Sequence, residues 1–539
     1  MEVTEVAHDS TATLAPLPGE RPRLSNTLLH FSDRHRHALF AVVFALYLVG
    51  FNGQWRVERD SALYLSVAKN LATGHGYTYR GIPNHVAFPG LPLLFAATFK
   101  VFHSQSVVPP LVLMLLMGFA GLGLTYRLFL LHSGRPTAVV ITVGLGMSRL
   151  FYRYAFELLT DMPFLVGVMA FLVGYEAVFF ARERAGDPQR RTRWFDWVFL
   201  FGGLALAICM RPQMWVLLAA IVIAMAWRTR CGEIGRKPLI LAILAIVAAA
   251  VLFWKIDPRH QGQTTVSGYE DYLLEFKFAQ PKVLLAQIIH NNLPNLLESA
   301  GVKALFGAPF FVGLNTIASL VVIALSIWLL KHRVLWGIWA VMTVLMLCLF
   351  KPLDRYFLPV IPLLVFAWWQ LMVRLNHRLP VRWGNWLFLL LLGIGGGTNL
   401  ARLGEMLVRE QRRTPFLEHY REGCYASLPK ITDLLDAHMR QRDWVMVEPK
   451  CARILTYASG HYAVEQGDPV SLARATHPTF ALEGFFDESR PAPGEPLNPS
   501  PLISELRQRG LKLGPVVGDP IQGPHDRRPW ILHRVVQLD

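Results

Sequence analysis

As far as residue 400 the chain alternates between long apolar blocks and short polar stretches. Val108–Leu131, Leu239–Trp254, Ile317–Leu330 with its upstream apolar turns, and Tyr356–Val373 are the clearest blocks. A helix needs about 20 such residues to cross a bilayer, and one that is apolar on all sides belongs in lipid or against other helices. The pattern predicts eleven spans, over 38–54, 108–130, 136–152, 162–181, 195–210, 213–227, 238–254, 304–330, 334–350, 356–373 and 383–400. The apolar stretch 89–102 is too short to span comfortably and reads as an interfacial or re-entrant helix. Beyond residue 401 the pattern changes. Strand-like segments 443–449, 461–466, 511–517 and 529–538 alternate with helical 429–441 and 502–510, while the proline-punctuated stretch 468–500 reads as loop. Such alternation predicts a small α/β domain.

Charge fixes the threading. Lys and Arg collect on the cytoplasmic side of short loops, and they are concentrated in Arg182–Arg193, Arg228–Lys237, Lys331–Arg333 and Arg374–Arg382. Placing the N-terminus inside puts all of these loops inside, provided that 89–102 does not span. Residues 1–37, acidic before Arg21 and carrying Pro16, Pro18 and Pro22, then form a disordered cytoplasmic tail, 38–400 the membrane domain, 401–424 a charged linker and 425–539 an extracytoplasmic α/β domain. The outer loops are 55–107, 153–161 and 255–302. The expected location is the inner (cytoplasmic) membrane, crossed many times.

Composition agrees. The 539 residues are 53% hydrophobic and only 17% charged, against roughly 25% charged in soluble domains, and mean hydropathy is +0.34. The net charge of +15 sits in the inner loops, where it directs topology, so nucleic acid is not an expected partner. Five cysteines are too few for a disulfide framework, although Cys424 and Cys451 could pair on the oxidising side. The GIGGG run at 393–397 lies within the last apolar block and reads as a site of close helix packing.

Candidate chemistry gathers in the outer loops. In the first, Asp60 opens a short amphipathic helix through Leu71, with Leu63, Val67 and Leu71 at helical spacing and Ser61 as a candidate cap. Such a helix suits a membrane surface. Asp60 there fits an N-terminal cap as well as a functional carboxylate. Glu157 and Asp161 lie four apart, hence on one helical face at a membrane boundary, where an acid is costly unless paired, solvated or functional. Arg355 precedes an apolar helix with Pro359 and Pro362. It fits either a snorkelling anchor or a guanidinium holding a phosphate.

Taken together, DSALYLSVAKNLATGHGYTY…HVAFPGLPLL, ELLTDMPF and RYFLPVIPLL resemble the lipid-phosphate-sugar-dependent glycosyltransferases of the GT-C superfamily, in particular the protein O-mannosyltransferase and aminoarabinose transferase group. The resemblance covers most of 38–180 and about 350–373, and extends to ARILTYASGHYAV in the C-terminal region. It departs at Pro89-Gly90-Leu91-Pro92, where the family commonly carries a Pro-Pro pair. It implies an all-α polytopic GT-C fold with its site at the outer face. Asp60 and Asp161 would then be the catalytic carboxylates, and Arg355 and Tyr356 would bind substrate. Arg59, Tyr64, His85 and Glu157 are further substrate-binding candidates by proximity. The implied partners are a polyprenyl-phosphate-linked sugar donor, a glycan, lipid or protein acceptor, and membrane lipids. Sugar transfer from such a donor needs a base for the acceptor hydroxyl and positive charge on the departing phosphate, roles that Asp60 and Arg355 suit. A one-step attack would invert the anomeric centre. No cofactor is implied with certainty; a divalent metal is compatible with the acids, but no ligand cluster is legible. The rival reading is a transporter or flippase of lipid-linked glycans, or a non-catalytic assembly protein. Transporters commonly show repeats and midplane polar residues, whereas here the acids gather at one face.

Overall fold

The computed structural model describes residues 23–84, 87–185, 193–233, 235–236, a few positions between 239 and 251, 281–310, 312–331, 333–350, 352–410, 425–440, 443–447, 451–464, 478–484, 501–508, 510–522 and 529–537. It is mostly helical, with a small C-terminal sheet.

The first half runs α1 (Leu24–Arg34), α2 (Arg36–Gly50), α3 (Arg59–Ala72), a two-stranded hairpin β1 (Thr78–Tyr79) and β2 (Ile82–Pro83), α4 (Gly90–Val101), α5 (Val108–Ser133), α6 (Arg135–Gly146), α7 (Arg149–Tyr154), α8 (Asp161–Ala185), α9 (Trp194–Met210) and α10 (Met214–Arg230). Helical and π turns follow over 281–306. Then come α11 (Val312–Leu329), α12 (Val334–Leu349), α13 (Ile361–Arg378), α14 (Val381–Leu392) and α15 (Thr398–Glu410). A π turn at Gly393–Gly397 joins the last two.

Among the described residues, Val108–Ser133, Asp161–Phe180 and the joined Val381–Val408 are long and apolar enough to cross a membrane. Two other expected spans are broken by the chain. The span predicted over 136–152 divides where α6 stops at Gly146 and Ser148 caps α7 by accepting from the Phe151 N–H. The one over 304–330 divides at Gly307, whose φ of 76° is left-handed backbone suited to glycine. The span over 238–254 lies largely outside the described residues. α4, with 12 residues, rises about 18 Å, well short of a hydrocarbon core of about 30 Å.

Two further expectations are corrected. The polar residues from Arg402 do not end the last helix, which continues through Glu410; residues 411–424 lie outside the described residues. GIGGG is also not packed closely along its length. Only at Gly395 would a Cβ collide with a neighbour, the Trp368 indole at 2.9 Å. The tight glycine seam lies instead between α8 and α9, where a Cβ on Gly203 would meet the Phe171 backbone nitrogen at 2.3 Å and one on Gly174 the Leu200 nitrogen at 2.3 Å. Close backbone approach of this kind is what glycine permits between membrane helices.

The C-terminal unit contains α16 (Leu428–His438), β3 (Trp444–Val447), α17 (Ala452–Ser459), β4 (Tyr462–Val464), β5 (Phe480–Glu483), α18 (Pro501–Gln508), β6 (Leu511–Val516) and β7 (Ile531–Gln537). Its mixed sheet has the order β4-β3-β5-β7-β6, with β3 parallel to both β4 and β5 and β7 antiparallel to β5 and β6. β5 occupies a stretch expected to be loop. It is a short buried strand, Phe480-Ala481-Leu482, and the surrounding prolines hide its pattern.

The bundle has two distinct ends. At one, α1 clasps the α5–α6 and α13–α14 turns, which corrects the expectation of a disordered tail over 1–37: residues 24–34 are a helix tied to the bundle, and α2 begins at Arg36. Arg135 holds Asp33 through two hydrogen bonds of 2.6 and 3.1 Å. Ser25 donates to Asn376 Oδ1 at 2.7 Å, and the Leu24 N–H donates to Asn385 Oδ1 at 3.0 Å. At the other end α3 is sandwiched between α4 and α17. Ala62, Leu63, Leu65, Val67 and Ala68 are all buried. Trp55 stacks edge-on against Tyr457 at 4.8 Å, and the Lys69 ammonium sits 4.1 Å from the same ring.

Candidate active site at one end of the helix bundle

The chain turns into α3 through a local motif. Ser61 Oγ donates to the Glu58 carbonyl at 2.7 Å and accepts from the Glu58 N–H at 3.3 Å. The expected capping by Ser61 is therefore real, but Ser61 is the third helical residue and answers back to Glu58. Asp60 is left free of that duty, and its carboxylate projects into a cluster of arginines.

Both Asp60 oxygens are engaged. Arg355 Nη2 donates to Oδ2 at 3.2 Å from the 3₁₀ turn Asp354–Phe357 that precedes α13, and Arg453 Nη1 donates to Oδ1 at 3.0 Å from the second residue of α17. Burial by itself would raise the Asp60 carboxyl. Arg355 and Arg453, with Arg211 behind them, outweigh it and hold Asp60 below the usual carboxylate range. The turn that presents Arg355 is set by its neighbour, since the Arg355 N–H donates to Asp354 Oδ1 at 2.9 Å. Burial opposes the Arg355 charge, but Asp161, Tyr356 and Asp60 around it raise its affinity for its proton well above normal. Its Nε is buried and has no hydrogen-bond partner.

Asp161 opens α8 and is held by Arg211, in the turn between α9 and α10. This pair is far more enclosed: its side chains are 9% and 2% exposed, against 20% and 36% for Arg355 and Asp60. Tyr356 forms the floor. The Arg211 guanidinium lies 4.7 Å and that of Arg355 5.3 Å from its ring centroid, within cation–π range. Gln213 Nε2 fixes the Tyr356 carbonyl at 3.2 Å. Tyr64, one turn along α3, lies beside Asp60, and burial followed by the Asp60 charge pushes its phenol up to about 12.

The structure thus brings together Asp60, Tyr64, Asp161, Arg355 and Tyr356. It does not bring in the rest. Arg59 is exposed. Glu157 does not share a helical face with Asp161, because 155–160 is a turn between α7 and α8; Glu157 pairs instead with Arg153 at 2.5 Å, which also approaches Glu58 at 3.8 Å. His85 and Cys424 lie outside the described residues. Among the described residues no group of three or more His, Cys, Asp or Glu converges as metal ligands would. Sequence reasoning missed Arg211 and Arg453. Arg211 carried a signal, an isolated cation in an outer turn, against the charge bias that explains the other loops. Arg453 lies in ARILTYASGHYAV, the segment of the C-terminal region that shares the family resemblance, but nothing there singled it out, because only folding brings α17 onto α3.

Gly90 accounts for the departure at Pro89-Gly90-Leu91-Pro92. A Cβ there would meet the Cys209 carbonyl oxygen at 2.7 Å and the Met210 side chain at 2.7 Å. A proline at this position would collide with the end of α9, next to Arg211.

No family model matches the chain, and no curated protein matches it by sequence. Its fold does match solved structures. A crystal structure of ArnT from Cupriavidus metallidurans bound to undecaprenyl phosphate is 14% identical and superposes with a TM-score of 0.54, over 92% of this chain and 97% of that one. The apo-state structure of the same protein gives 13% identity and a TM-score of 0.52 over the same shares. The likeness shows that this chain shares the fold of these structures.

Proposed function

We propose that this chain is an integral membrane glycosyltransferase that moves a sugar from a polyprenyl-phosphate-linked donor to an acceptor hydroxyl at the extracytoplasmic face. The observation that carries the reading is the meeting of Asp60 with Arg355, beside the Asp161–Arg211 pair, at one end of a GT-C bundle. A neighbour in fold, ArnT, was crystallised with undecaprenyl phosphate, which supports a lipid phosphate as the group held here. In the reaction, the acceptor oxygen attacks the anomeric carbon as its proton passes to Asp60. The bond from that carbon to the phosphate oxygen breaks, and the electron pair leaves with the phosphate. Arg355 neutralises the charge that grows there, the place where fixed cations contribute most to rate. A single displacement inverts the anomeric centre. Asp161 does not act as a base in this scheme. It fixes Arg211, which with Arg355 brackets Tyr356.

The eleven-span topology with an inner N-terminus belongs to the same proposal. It is supported by the two ends of the bundle: loops assigned inside meet α1, and loops assigned outside meet one another around Asp60. The deciding experiment incubates the purified protein in lipid vesicles with a panel of undecaprenyl-phosphate sugars and acceptors. Transfer from at least one donor, lost in Asp60→Asn, is expected. Transport of intact lipid-linked glycan with no transfer would overturn the proposal in favour of a flippase.

A further inference from the structure

Asp60 presents to two arginines the kind of acceptor that a phosphate would present. One carboxylate bridges two guanidiniums, one from the membrane bundle and one from the C-terminal domain, with each taking a different oxygen at 3.2 and 3.0 Å. A phosphate offers the same pattern of acceptor oxygens with more charge, and Arg–phosphate pairing uses the same planar donors. Arg355 also has a donor to spare, the buried and unpartnered Nε. The pairing is accessible: the Arg355 and Arg453 side chains are 20% and 33% exposed, so a ligand arriving from outside can reach them. The enclosed Asp161–Arg211 pair is not accessible in this way.

Resting on the reading of the site as a lipid-phosphate sugar site, we propose that Arg453 is a phosphate-binding residue supplied by the C-terminal domain, and that donor phosphate and Asp60 compete for Arg453 and Arg355. An arriving phosphate takes both guanidiniums, and Asp60 is released with its oxygens open to the acceptor proton. The base is therefore armed only when donor is bound. The groups facing Asp60 are consistent with this. Arg453 on α17 and Arg355 before α13 touch it, Arg211 lies behind them, and Tyr64 sits beside it on α3. Once Arg355 and Arg453 are drawn to a phosphate, a new negative charge faces Asp60 in place of two positive ones, and its proton affinity rises.

The test is binding, so it is independent of turnover. Undecaprenyl phosphate is titrated into the full-length protein in nanodiscs, with undecaprenol as the tail-only control and inorganic phosphate as the headgroup-only control. Arg453→Gln should weaken undecaprenyl phosphate binding about tenfold, the scale of one charge-assisted pair, and Arg453→Lys should restore part of it. Asp60→Asn should tighten it by a similar factor, an opposite sign that a damaged fold would not produce. Undecaprenol binding should not respond to any of the three. Unchanged or weaker undecaprenyl phosphate binding by Asp60→Asn overturns the competition. Unchanged binding by Arg453→Gln overturns the role of Arg453. Inorganic phosphate binding as tightly as the lipid, with the same variant pattern, overturns the lipid source. None of these outcomes depends on sugar transfer, whose absence in the wild type would instead sink the proposed function.

Discussion

Asp60 and Asp161 are both paired with arginine, yet they should respond to substitution in opposite ways. Asp161 and Arg211 are almost wholly enclosed, and breaking one partner of a buried pair leaves an uncompensated charge that costs about 3–5 kcal/mol. Asp161→Asn should therefore lower thermal stability sharply, as measured in detergent by a fluorescence melt. Asp60 is 36% exposed, so Asp60→Asn should melt close to wild type while transfer falls by about 10² or more, the usual scale of a general base. A well-folded Asp60→Asn with near-normal turnover rejects Asp60 as the base. Arg355 adds a geometric test. A snorkelling anchor tolerates Lys, whereas a residue that uses Nη2 on one partner and keeps Nε for another does not. Arg355→Lys should raise the donor KM with little change in stability, and Arg374→Ala at the far end of α13 should be almost silent. Equal activity of wild type and Arg355→Lys at limiting donor would place the phosphate elsewhere. Asp60, Asp161 and Arg355 stood out in the sequence because each lies near the start of an element at an expected membrane boundary, whereas Tyr356 entered through the family resemblance. Arg453 lay in a segment that shared the resemblance, yet it was not singled out because its partner is 393 residues away.

At the scale of elements, α3 is the hinge of the arrangement, since it touches the membrane bundle through α4 and the soluble domain through α17. The pattern of Leu63, Val67 and Leu71 correctly gave a helix, but one apolar stripe did not show that α4 and α17 both pack on it. Small residues between the stripes, Ala62 and Ala68, let a second layer close over it, and both are fully buried. The breaks in the expected spans at Gly146–Ser148 and Gly307 were hard to see for a related reason. The flanking residues stay apolar, so hydropathy averages across a turn that only capping and a left-handed glycine mark. The contact of α3 with α17 rests on Tyr457, 8% exposed, between Trp55 and Lys69. Truncating a large buried aromatic costs about 3–5 kcal/mol. Tyr457→Ala should therefore loosen this seam, speeding amide hydrogen exchange in α17 and α3 while α8 and α9 keep their protection. Unchanged exchange in α17 would mean that the domain is held by other contacts.

For the whole molecule the open quantity is sidedness, and α4 decides it. If α4 crossed the membrane, every later loop would change sides, and the basic segments 182–193, 228–237 and 374–382 would face outward against the usual bias. Twelve residues cannot reach across. The start of α4 is also pinned by Gly90 to the end of α9, next to Arg211 and hence near the site. The same choice puts Asp60, Asp161, Arg211, Arg355 and Arg453 on one side, where they are in contact. A spanning α4 would separate Asp60 from the others. Two positions test the choice. Cys231 is exposed at the end of α10, and Gln105 is exposed just beyond α4. In a protein whose other four native cysteines are replaced by serine, Gln105→Cys with Cys231→Ser should react with a membrane-impermeant maleimide on intact cells. The protein that retains only Cys231 should react only after permeabilisation. The reverse pattern would mean that α4 spans, and labelling of both from outside would break the parity between them. Either result would remove the extracytoplasmic placement of the site.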